Sequence, residues 1–130
     1  MANPARYWRE IPQRYRMEAG KCTKCGRVFF PPRLVCPGCG SRTFEGVRLQ
    51  DEGSLLTYTV IRVGPSQFAD QTPFAVGIVE LDGGVRITCQ VVDCEIDKLA
   101  IGQRVRLEFR RIQKQGDAGI LCYGHKCVPC

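Results

Sequence analysis

Cys22-Thr23-Lys24-Cys25-Gly26 and Cys36-Pro37-Gly38-Cys39-Gly40 decide how the front of this chain folds. Two residues between cysteines make a tight turn that aims both sulfurs at one point. Glycine after the second cysteine permits a positive φ, so the backbone can fold around an ion and offer N–H groups to the thiolates. Zinc takes four ligands in a tetrahedron, and a set of four cysteines leaves no position for water or substrate. Cys22, Cys25, Cys36 and Cys39 are therefore expected to hold one structural zinc ion. Four sulfurs would also accept iron, but nothing in the chain suggests redox work. Ten residues separate Cys25 from Cys36, fewer than is usual for such motifs. Two knuckles joined by a strand and turn over Arg27–Pro32 span that distance. Four reduced thiols or two disulfides are the alternatives.

The regions on either side differ in character. Residues 1–20 are polar and basic, with Tyr7, Ile11 and Tyr15 on one side of a helix. Pro12 interrupts that helix, which predicts a short helix, a bend and a second turn. Such an arm either covers the body of the protein or docks on a partner, and Trp8 suits an interface. Residues 21–46 form the ribbon. Residues 47–130 read as β: Ser54–Val63, Phe74–Leu81, Val85–Val92, Gln103–Ile112 and Gly119–Lys126. Asp82-Gly83-Gly84 marks a hairpin, and Glu95–Ala100 is long enough for one turn. Val105, Leu107 and Phe109 alternate with charged neighbours. Five strands in this order fit a Greek-key barrel, with the OB-fold leading over other small barrels and sandwiches. The expected protein is mainly β: a helical arm, a rubredoxin-like zinc ribbon and a five-stranded OB-fold barrel.

Composition narrows the functional classes. The 130 residues are 44% hydrophobic and 25% charged, with a formal charge of +6. Four thiolates and one zinc ion lower that to about +4, a mildly basic balance that solvated surface charge explains. No apolar run approaches the roughly 18 residues that span a bilayer. Met1–Arg16 is rich in arginine without an apolar core, so it does not read as a secretory signal. A cytoplasmic protein without a membrane partner is the expectation.

Five further cysteines, Cys89, Cys94, Cys122, Cys127 and Cys130, lie in the barrel half. Cys89 and Cys122 are expected to be buried free thiols, because cysteine packs as a small hydrophobe. Cys127-Val128-Pro129-Cys130 lacks the glycine knuckle and sits at a terminus, a poor anchor for a second metal. His125 and Cys127 share a strand face, which only weakly suggests a thiol–imidazole pair. No serine-nucleophile, zinc-protease or phosphate-loop motif occurs, and one histidine leaves little for acid–base chemistry. The chain reads as a non-enzyme.

Tyr7-Trp8-Arg9-Glu10-Ile11-Pro12-Gln13-Arg14-Tyr15-Arg16, Gly20-Lys21-Cys22, Phe30-Pro31-Pro32-Arg33, Tyr58-Thr59-Val60-Ile61 and Pro73-Phe74-Ala75-Val76 carry a resemblance. Together with the cysteine quartet they resemble a family long catalogued as a domain of unknown function, number thirty-five, and described as acyl-CoA-associated. The match runs from about Tyr7 to Val128. It implies a helical arm, a rubredoxin-like zinc ribbon and a C-terminal OB-fold. It also implies a scaffold that bridges acetoacetyl-CoA thiolase and hydroxymethylglutaryl-CoA synthase, so that acetoacetyl-CoA passes between them in the mevalonate route to isoprenoids. Other members of the family serve related thiolase-fold partners. The extra cysteines depart from the pattern, because members often carry an aromatic residue where His125 and Cys127 stand.

Coenzyme A carries phosphates, and Arg104, Arg106, Arg110 and Arg111 form a basic stripe with Arg86 near it. A solvated strand face is the plainer reading of that stripe. A small barrel is filled by its own side chains, so any coenzyme A contact belongs on the surface or at a shared interface. The alternative function is a nucleic-acid-binding ribbon and OB-fold. Arg86, Thr88 and Gln90 are polar and Val85, Ile87 and Cys89 aliphatic or small, so these strands offer no aromatic platform for bases. Phe68 and Phe74, in the loop between the first two strands, could cap the barrel or contact a partner.

Overall fold

The computed structural model describes residues 4–114 and 121–130, without the side chains of Gln67, Gln113, Lys114 and Cys122. The loop Gln115-Gly116-Asp117 and the thiol of Cys122 therefore lie outside the described residues. The arm forms α1 (Pro4–Arg9) and α2 (Ile11–Arg16). Pro12 lies in the first turn of α2, where a missing N–H costs nothing because it would have no intrahelical acceptor. Glu10 sits at the break and pairs with both Arg6 and Arg14. Met17 ends α2 in the left-handed region, at φ 52°, and turns the chain into the ribbon.

The ribbon sheet comprises β1 (Glu18–Cys22), β2 (Val28–Phe29) and β3 (Phe44–Arg48) in the antiparallel order β2-β1-β3. The expected connecting strand between the knuckles is thus only two residues long. Met17, Ala19 and Leu49 belong to the same apolar cluster as the barrel interior, so the ribbon's base is packed onto the barrel.

The barrel comprises β4 (Glu52–Ile61), β5 (Phe74–Leu81), β6 (Arg86–Val91), β7 (Arg104–Lys114) and β8 (Leu121–Pro129). It closes in the order β4-β5-β6-β8-β7, with β7 back on β4. The connections are antiparallel except β6 to β8, which is parallel and made through one bridge, Val91 to Cys127. This is the OB-fold. Its interior follows the two-residue period of a strand: Leu55, Ala75, Val79 and Val105 have no solvent exposure. Burying each larger one contributes about 1.5–3 kcal/mol. Two glycines permit this closure. A Cβ on Gly53 would lie 2.3 Å from the Glu80 carbonyl oxygen, and one on Gly77 would lie 2.6 Å from Leu55 Cδ1.

The predicted hairpin is present: Leu81 N–H donates to Val85 O, and Gly83 and Gly84 take φ 111° and 92°. The single turn after β6 is a 3₁₀ helix over Ile96–Lys98, tied to β4 by the Tyr58 hydroxyl, which donates to Leu99 O. One expectation needs correction. Phe74 is not in the loop but begins β5, where it is buried against Phe68, with ring centroids 5.9 Å apart. Phe109, on the strand face of Val105 and Leu107, is 48% exposed and packs between Tyr15, Tyr123 and His125.

Candidate metal centre

Cys22 ends β1, Cys25 follows in the first turn, and Cys36 and Cys39 lie in the matching turn before β3. The two turns repeat one hydrogen-bond pattern. Gly26 N–H donates to Cys22 O, as Gly40 N–H does to Cys36 O, each at 2.9 Å. Cys22 N–H donates to Arg27 O, as Cys36 N–H does to Ser41 O, each at 2.8 Å. The knuckle glycines carry the positive φ expected of them, 77° at Gly26 and 74° at Gly40. A side chain there would meet no neighbour within 4 Å, so the requirement is conformational rather than spatial.

The four sulfurs lie within 4.8 Å of one another, and Cys22–Cys39 and Cys25–Cys36 are each 3.5 Å apart. A tetrahedral ion with zinc–sulfur bonds of about 2.3 Å sets its ligands about 3.8 Å apart. The cluster therefore matches a tetrahedral site rather than a pair of disulfides, whose sulfurs touch at about 2.0 Å. Its electrostatics split the four thiols, lowering Cys22 and Cys36 and raising Cys25 and Cys39. The Cys25 N–H holds the Cys22 thiol down to about 6. Cys36 is lowered against its burial by the N–H groups of Cys39 and Gly38. Cys39 accepts the Ser41 N–H, yet its sulfur neighbours, Cys22 first, and burial push it up to about 11. A divalent ion coordinated by the four sulfurs would hold all of them as thiolates.

No other group of three or more His, Cys, Asp or Glu ligands converges among the described residues. Cys89 is buried, as expected, and the Cys127 thiol beside it pushes its own thiol up, away from nucleophilic character. Cys127 is fully buried and directed at Gln90 O, 3.5 Å away. His125 and Cys127 do share a β8 face, but His125 Nδ1 lies 3.0 Å from Arg14 O. A carbonyl only accepts, so Nδ1 carries the proton and ties the arm to the barrel.

The basic stripe is largely neutralised. Arg104 forms a bidentate pair with Asp82 at 2.9 and 3.0 Å, Arg106 pairs with Glu108, Arg110 with Asp93 and Arg86 with Glu80. Arg111 makes no ion pair among the described residues. Four paired guanidiniums make a poor phosphate cradle.

One feature was not foreseen. Because β6 and β8 meet at a single bridge, their other ends splay apart, and two adjoining clefts of about 290 and 370 Å³ open along that seam. They share Thr88, Cys89, Ile112 and His125; Tyr7 of the arm flanks one and Phe68 the other. No local motif marks such a seam, since its two walls come from strands more than thirty residues apart.

The fold and the sulfur cluster define a protein of the zinc-ribbon and OB-fold class. Residues 9–45 match the family model of the ChsH2 rubredoxin-like zinc ribbon domain, and residues 46–110 that of the ChsH2 C-terminal OB-fold domain. The chain is 41% identical over 130 residues to a DUF35 domain-containing scaffold protein of Methanothermobacter thermautotrophicus, covering 99% of this chain and 98% of that protein. It is 43% identical over 125 residues to one from Methanocaldococcus jannaschii, covering 95% of this chain and 89% of that protein. It is also 34% identical over 71 residues to benzoylsuccinyl-CoA thiolase subunit BbsA of Thauera aromatica, covering 55% of this chain and 48% of that subunit. The solved Ltp2-ChsH2(DUF35) aldolase superposes with a TM-score of 0.75 at 26% identity, covering 99% of this chain and 96% of that one. The chain belongs to the DUF35 family.

Proposed function

We propose that this protein is a non-catalytic scaffold subunit that holds one structural zinc ion through Cys22, Cys25, Cys36 and Cys39. In this reading it bridges an acetoacetyl-CoA thiolase and a hydroxymethylglutaryl-CoA synthase and supports direct transfer of acetoacetyl-CoA between them in the mevalonate pathway. The observation that carries the scaffold role is similarity along nearly the whole chain to proteins named as DUF35 scaffolds. The chemistry agrees. Four thiolates saturate a tetrahedral ion, so the metal has no place for substrate. The barrel interior is lined by fully buried apolar side chains, Leu55, Ala75, Val79 and Val105.

A scaffold needs free contact surface, and Trp8 is 76% exposed on the arm. Coenzyme A is met at a surface shared with the enzymes, and the apolar β6–β8 seam suits its uncharged portion better than the neutralised arginine stripe suits its phosphates. The test is a native pull-down from the host after nuclease treatment, with bound proteins identified by mass spectrometry. A thiolase and a synthase in fixed ratio are expected. Recovery of neither, or only of partners lost on nuclease treatment, would sink the reading and leave a nucleic-acid binder as the alternative.

A further inference from the structure

The ribbon holds the longest run of the chain without an acidic residue. From Ala19 to Phe44 there is no Asp or Glu, while Lys21, Lys24, Arg27, Arg33 and Arg42 supply five positive charges. A zinc–thiolate centre subtracts two, leaving about +3 on a 26-residue module. All five side chains are exposed. Lys21 faces Glu45 across the β1–β3 ladder. The other four make no ion pair among the described residues, whereas Arg86, Lys98, Arg104, Arg106 and Arg110 of the barrel all do.

The same acid-free run carries an exposed aliphatic pair. Leu34 is 89% exposed and Val35 46%, immediately before the ligand Cys36. Arg33 stacks on Phe29, its guanidinium carbon 5.4 Å from the ring centroid. The segment is held at one end by Phe29, edge-on to Phe44 with centroids 6.3 Å apart, and at the other by the second knuckle. Such a pair is presented already ordered, so docking it costs little conformational entropy.

Resting on the scaffold reading, we infer that this face of the ribbon, centred on Leu34 and Val35 and rimmed by Lys24, Arg27, Arg33 and Arg42, docks into a partner enzyme's apolar notch bordered by carboxylates. Charge complementarity names the rim, and the exposed aliphatic pair names the centre: interfaces desolvate apolar anchors at the middle and keep charge at the edge. A nucleic-acid strand fits less well, because it is gripped by stacking on displayed rings. The ribbon's rings, Phe29, Phe30 and Phe44, are half-buried instead.

The test measures binding of the full-length zinc-loaded protein to the host's acetoacetyl-CoA thiolase and hydroxymethylglutaryl-CoA synthase separately, and to a single-stranded RNA oligonucleotide. The variants are Leu34→Ala, Leu34→Asp and the double change Lys24→Glu with Arg33→Glu, each checked for full zinc content. The inference expects one enzyme to lose affinity by about tenfold or more in L34D and in the double variant, with a smaller loss in L34A. Wild-type binding should also weaken between about 50 and 300 mM salt, and less so in the double variant. If the enzymes bind but every variant binds like wild type, the ribbon inference is overturned and the scaffold reading stands. If neither enzyme binds wild-type protein, both fail. Loss of RNA binding alone in the double variant would make the face a nucleic-acid surface and overturn the inference.

Discussion

The ribbon and the barrel solve the same problem with different means. The barrel closes on a continuous apolar interior in which Leu55, Val79, Leu81 and Val105 are at most 2% exposed. The outer part of the ribbon has almost no interior: from Thr23 to Thr43 its buried residues are Cys36 and Ser41. What the barrel gains from burial, the ribbon gains from a metal in the reading proposed above, because a module this small cannot exclude enough apolar surface from water. The same contrast holds for charge. The barrel pairs Arg86, Arg104, Arg106 and Arg110 internally, while Lys24, Arg27, Arg33 and Arg42 of the ribbon make no ion pair among the described residues. One half is finished as a folding unit, and the other is open both to an ion within and to a partner outside.

The sharpest way to break this comparison is to remove the metal. Chelation, or Cys39→Ser, should erase the dispersed amide NMR signals of residues 18–48 and spare those of β4 to β8. Zinc binding in such modules supplies about 10–16 kcal/mol of folding free energy. Ribbon signals that survive chelation would show that zinc is dispensable. Acid should act in the same direction. The ligands bind as thiolates, so protons compete with the ion, and zinc should leave as pH falls. Metal release followed by a chromogenic chelator checks the sign.

The converse perturbation is Leu55→Ala, which should cost the barrel about 2–5 kcal/mol in denaturant unfolding while leaving zinc content unchanged. A smaller loss, about 1–3 kcal/mol, is expected for Gly77→Ala, whose new Cβ meets the Leu55 side chain and, at 3.0 Å, the Thr57 carbonyl oxygen. If either change empties the metal site, the two halves are not separable as described. The smallest effect concerns the barrel's surface pairing. The Arg104 guanidinium holds the Asp82 carboxyl below its usual value. Its contribution to stability is therefore present above the unfolded carboxylate range and is lost as pH falls through the folded value. Arg104→Gln should move the Asp82 titration upward, read by carboxyl NMR, with little change in melting temperature at neutral pH.

The halves also differed in legibility. The quartet could be read directly because a metal knuckle is local: two cysteines, the glycine after them and the turn between all lie within five residues. The hairpin at Asp82-Gly83-Gly84 was legible for the same reason, and Pro12 signalled a break that falls two residues earlier, at Glu10. The apolar run Phe74–Leu81 matched β5 to the residue, while the alternation of Val105, Leu107 and Phe109 gave the strand but not the packing of Phe109 against Tyr15 of the arm. It likewise presented Arg104, Arg106 and Arg110 as an open stripe. Asp82 and Asp93, which neutralise two of them, come from distant loops.

By itself, the sequence determined the four-sulfur site, the five barrel strands and the acid-free run of the ribbon, since each depends on neighbours along the chain. Tertiary structure alone decided which cations are already spent, where the β6–β8 seam opens, and that the ribbon's base shares the barrel's core. Those outcomes depend on side chains brought together across long loops, and short-range physical chemistry acts on distance in space, whatever the separation in sequence.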